Sequence, residues 1–87
     1  MDTAPLREAI RDLYPHATLY HPADAGRDSY PSDLEVLLGL MATDRAAVEN
    51  GKDARGIAGD RAHAIRETGR RAAGRLAKAE ALIAQLQ

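Results

Sequence analysis

The sequence predicts an all-α protein of one small domain: a short N-terminal helix, an ordered Tyr/Pro loop, then an antiparallel helical hairpin with a long C-terminal helix. Three observations point there. The apolar residues recur at spacings of three and four. A capping box, in which the Ser32 hydroxyl and the Glu35 carboxylate each satisfy the other end's backbone N–H, opens the middle of the chain. A heptad seam covers the C-terminal third.

The first helix is read over residues 3–14. Asp2 or Thr3 caps it, and Pro5 sits in the first turn, where its missing N–H does no harm. Leu6, Ala9, Ile10 and Leu13 form its apolar face. Pro15 stops it, because a residue preceding proline is pushed out of the α region.

Residues 15–31 are punctuated by Pro15, Pro22, Gly26 and Pro31 and form a long loop, the kind that is usually functional or disordered. Tyr14, Tyr20 and Tyr30 lie in it or at its edge. Disordered segments are poor in aromatics, so the loop reads as ordered and pinned to the helices.

The second helix, residues 32–49, starts at Ser32. Leu34, Leu37, Leu38 and Met41 share one face; Val36 and Leu40 point the opposite way, above Ala47. A helix apolar on two sides is buried on two sides. Asn50–Gly51 is its expected stop.

The third helix, residues 53–87, has Asp53 as its candidate cap. Ala58, Ala62, Ile65, Gly69, Ala72, Leu76, Ala79, Ile83 and Leu86 follow one another at alternating steps of four and three. That seam is made of small residues up to Leu76 and suits the close approach of a second helix. The expected core brings Leu6, Ile10 and Leu13 onto Leu34, Leu37, Leu38 and Met41, with Ile65, Leu76, Ile83 and Leu86 from the third helix.

Composition narrows the function. Of 87 residues, 18 are Ala, and there is no Phe, Trp or Cys. A chain with so few bulky side chains often finds extra burial in self-association or on a partner. The lack of Cys removes disulfides and favours a reducing, cytoplasmic setting. No run approaches the ~20 apolar residues of a membrane span, and Met1–Ile10 lacks a signal-peptide core. Charge is uneven: residues 1–30 carry three basic and five acidic groups, 31–50 one and four, 51–87 eight and four.

No catalytic constellation is legible. Ser29 and Ser32 are the only serines, and His63 is far from both in sequence. Gly51-Lys52 lacks the P-loop spacing, and Gly56-Ile57-Ala58-Gly59 is too short for a dinucleotide fingerprint. His16, His21, Asp24 and Asp28 match no standard zinc spacing. No cofactor or metal is expected.

The favoured expectation is a non-enzymatic protein–protein interaction or regulatory module. Size and composition suit a phage or mobile-element inhibitor of a host or defence complex, of the anti-CRISPR type. Its partner contacts are assigned to the loop, at Tyr14, His16, Tyr20, His21 and Tyr30, since aromatics on a rigid loop make binding hot spots. A homodimer would use Val36 and Leu40, or the seam at Ala58, Ala62, Ile65, Gly69 and Leu76. The alternative is a nucleic-acid binder using Arg66, Arg70, Arg71 and Arg75 on the basic face of the third helix. Against it stands a pI near 6.3.

Overall fold

A computed structural model describes residues 4–19 and 32–86. The described residues form three helices and no strand: α1 (Ala4–Leu13), α2 (Asp33–Asp53) and α3 (Asp60–Leu86).

Helix α2 begins as its sequence dictates. Glu35 N–H donates to Ser32 Oγ and Ser32 N–H donates to Glu35 Oε2, each at 3.2 Å. It does not stop at Gly51. The helix continues to Asp53, and the Ala54 N–H donates to the Asn50 carbonyl at 3.1 Å. Gly51 is buried because it meets Gly69 of α3. A Cβ on Gly69 would lie 2.9 Å from the Ala47 carbonyl oxygen and 3.3 Å from Gly51 Cα. The two glycines therefore permit backbone-to-backbone approach, and that contact, not chain reversal, is what Gly51 provides.

Reversal comes later, over residues 54–59. Gly56 (φ 79°) and Gly59 (φ 111°) occupy the left-handed region that side chains disfavour. So α3 starts at Asp60 rather than near residue 53, Asp53 closes α2 instead of capping α3, and Ala58 is an exposed turn residue outside the helical seam. Arg66 straps the turn: its Nη1 donates to the carbonyls of Ala54 at 2.7 Å and Ile57 at 2.8 Å.

Contacts between α2 and α3 pair Gly51 with Gly69 and Asp44 with Arg75, stepping down one helix while stepping up the other, and Arg45 beside Asp44 reaches on to Glu80. The inward positions of α3 are the expected seam: Ala62, Gly69, Ala72 and Ala79 are buried, and Leu76 and Ile83 pack against the core. Helix α2 answers with Leu37, Met41, Asp44, half-buried Val48 and Gly51, again at steps of four and three. Two matched heptad stripes give side-by-side packing along the helix length.

Helix α1 closes one side of this pair. Leu6, Ile10 and Tyr14, one turn apart, join Leu37, Met41 and Ala79 in the core. Arg7 reaches Asp33 at 3.4 Å. Leu13 is partly buried against the same cluster. The expected α2 face is only half used, because Leu34 and Leu38 are 43% and 45% exposed. Leu34 continues the α2 stripe, but it lies where the pairing reaches the last turn of α3, so little of α3 remains to cover it. Leu38 sits on the outer flank.

Candidate functional site

Asp44 is the buried charge among the described residues, 4% exposed, in the middle of the apolar α2 stripe. A carboxylate there must be paired and hydrogen-bonded to be tolerated. Tyr14 Oη donates to Asp44 Oδ2 at 2.6 Å. Arg75 Nη2 donates to Oδ1 at 3.0 Å, and its Nε approaches Oδ2 at 3.4 Å. The guanidinium carbon also lies 5.9 Å from the Tyr14 ring centre, within cation–π range. Tyr14, the residue after α1, and Arg75 of α3 thus converge on a carboxylate from α2.

This geometry moves the tyrosine's titration. Burial, then the bond to Asp44 and its charge, push the Tyr14 phenol up to about 12, with Arg75 and Arg45 opposing. The Asp44 carboxylate raises the Arg75 guanidinium further above its usual value, by hydrogen bond and charge. Tyr14 is thereby a neutral donor and Arg75 a permanent cation at physiological pH. Beside the network is an open hollow of about 420 Å³, walled by Leu13, Pro15, His16, Leu40 and Thr43 together with the three network residues.

The expected site residues separate on this map. Tyr14 is a core residue whose hydroxyl is engaged within the chain, so it offers no free aromatic surface to a partner. His16 is exposed on the rim of the hollow. Tyr20, His21 and Tyr30 lie outside the described residues, as do Asp24 and Asp28 of the metal candidate. Among the described residues no group of three or more potential metal ligands occurs.

Of the self-association candidates, Gly69, Ala62 and Leu76 are turned to the chain's own helices; Leu40 packs on the core, and Val36 and Ile65 are half-buried. Of the four arginines, Arg75 is bound to Asp44 and Arg66 to the turn carbonyls. Arg70 is exposed and pairs with Glu67 at 3.2 Å, while Arg71 points to solvent. They do not present one open phosphate-tracking stripe.

Besides that hollow, the described surface exposes Ile57 of the turn, the edge of α2 at Leu34 and Leu38 and, nearer the turn, a groove with basic walls between α2 and α3. No helix among the described residues is long and apolar enough to cross a membrane. The chain matches no known protein family, no curated protein and no solved structure.

Proposed function

We propose that this chain is a non-enzymatic protein-binding module: an antiparallel α2–α3 hairpin, clamped on one side by α1, that presents the edge of α2 to a protein partner. The observation that carries the reading is the exposure of Leu34 and Leu38, 43% and 45%, one helical turn apart on a chain that has few bulky apolar residues to leave in water. Adjacent branched side chains on a rigid helix lose little entropy on docking and bury apolar area well. A compact regulator or inhibitor that occludes a larger complex is the form of module this size suits. The nucleic-acid reading is weaker, since two of its four arginines already have internal partners.

The test is a Leu34→Ser/Leu38→Ser variant, compared with wild type in capture from a native lysate and in solution mass by light scattering. Circular dichroism should show unchanged helicity, because neither side chain is in the core. Loss of a specific captured protein, or of a dimer, supports the reading. Identical captured sets and identical mass would sink it.

A further inference from the structure

We infer that the groove near the turn, between α2 and α3, is a receptor for an acidic segment of the protein partner; this deepens the protein-binding reading and rests on it. The groove holds about 330 Å³. Its floor is apolar and low: Gly51 and Gly69 where the backbones touch, with Val48 and Ala73 beside them. Its rim is cationic throughout, with Lys52 and Arg55 on one bank and Arg66 and Arg70 on the other.

These cations are available. Among the described residues Lys52 is held only by Glu49 at 3.1 Å and Arg70 only by Glu67 at 3.2 Å, both surface pairs three residues apart along the chain. Such pairs contribute little and exchange readily. Arg55 has no side-chain partner among the described residues and is exposed. Arg66 is fixed by its carbonyl bonds through Nη1, which holds its guanidinium at the rim without neutralising it.

The floor and the surroundings select the occupant. A bare phosphate gains nothing from Val48 and Ala73, whereas a peptide places an aliphatic side chain there and carboxylates on the rim. No aromatic residue lines the groove, so bases have no stacking platform. Glu49, Glu67 and, further along, Glu80 would repel a continuing polyanion, which disfavours a nucleic-acid strand over a short acidic patch.

The groove is also in line with the exposed apolar edge. Leu38, Arg45 and Lys52 follow at seven-residue steps on α2, as do Arg66, Ala73 and Glu80 on α3, and Arg45 bridges to Glu80 at 3.8 Å. Both sets lie along one flank of the helix pair. Leu38 and Lys52 are therefore roughly 21 Å apart along the axis at ~1.5 Å per residue. One partner segment of about four helical turns, apolar at one end and acidic at the other, spans both.

The experiment uses the full chain and a fluorescent helical peptide that is Leu-rich at one end and Glu-rich at the other. Anisotropy gives affinity, and the backbone amide resonances of Gly51 and Gly69 give location. The expected result is salt-sensitive binding that shifts both glycine amides and weakens about tenfold in Arg55→Glu/Arg70→Glu. Binding that ignores this substitution, or that leaves the glycine amides unmoved, overturns the inference. So does binding of pyrophosphate or single-stranded DNA in place of the peptide. A partner lost in the Leu34/Leu38 variant but retained by Arg55→Glu/Arg70→Glu would refute the groove while leaving the protein-binding reading intact.

Discussion

Replacing Gly69 by Ala should destabilise this protein, although the same change at most helical glycines does the reverse. In a helix interior Gly→Ala gains about 1 kcal/mol from propensity. At Gly69 the new methyl would sit 2.9 Å from the Ala47 carbonyl oxygen and 3.3 Å from Gly51 Cα. Both obstacles are backbone, so neither can rotate away, and relief requires α2 and α3 to separate. Overpacking of this kind costs ~1–3 kcal/mol. At Gly74, five residues along the same helix, an added methyl would meet nothing within 4 Å, which isolates the propensity gain. The difference between Gly69→Ala and Gly74→Ala is then the clash alone, about 1–3 kcal/mol, with Gly74→Ala the more stable. Thermal and urea unfolding followed by circular dichroism at 222 nm reads it directly, as a separation in Tm of at least about 4 °C for a domain of this size. Equal stabilisation by both substitutions would refute the close backbone contact on which the α2–α3 packing is built.

Two further predictions concern the buried network. Asp44→Ala leaves the Tyr14 hydroxyl and the Arg75 guanidinium without their acceptor, and should cost about 2–3 kcal/mol in urea unfolding, with Asp44→Asn falling between it and wild type; a loss below about 1 kcal/mol for Asp44→Ala would mean the network is not holding the helices. Alkaline pH should act through Tyr14. Its phenol titrates near 10 when unfolded and about 12 when folded, so the folded state holds the proton longer. Its contribution is full below pH 10 and is lost as pH climbs from 10 to 12, by roughly 2–3 kcal/mol at ~1.4 kcal/mol per pH unit. Tyr14→Phe should lack that part of the alkaline decline; parallel pH profiles for the two proteins would contradict it.

Much of the architecture was legible because local rules and packing agreed. The Ser32–Glu35 box sets the start of α2, and the α3 seam marks Ala62, Gly69, Ala72 and Ala79, which are buried. The misreadings share a cause: a residue type carries two meanings that only tertiary contact separates. Gly51 looked like a helix stop, yet it is a packing glycine, and the real stop lies at Gly56 and Gly59. Leu34 and Leu38 share a face with Leu37 and Met41, but the extent of α3 decides whether Leu34 is covered, and Leu38 sits on the outer flank of the pair. Tyr14 read as a partner contact because nothing near it in sequence announces an acceptor 30 residues away. One signal was present and unused. Leu37, Met41, Asp44, Val48 and Gly51 keep heptad spacing, and a carboxylate on such a stripe requires a buried donor.

That carboxylate also acts as a detent against sliding. Stripes of alanine and glycine are permissive: displaced by one heptad, they would still bring small side chains together over much of their length. Moving α3 by seven residues, however, would set Asp44 against Leu82 or Thr68 in place of Arg75, and Gly51 against Leu76 or Ala62 in place of Gly69. In either displaced state a charge is left in the interior without its cation, at a cost of several kcal/mol. The α2–α3 pair thus has a single seating, and every surface residue on its open flank keeps a fixed address relative to the others.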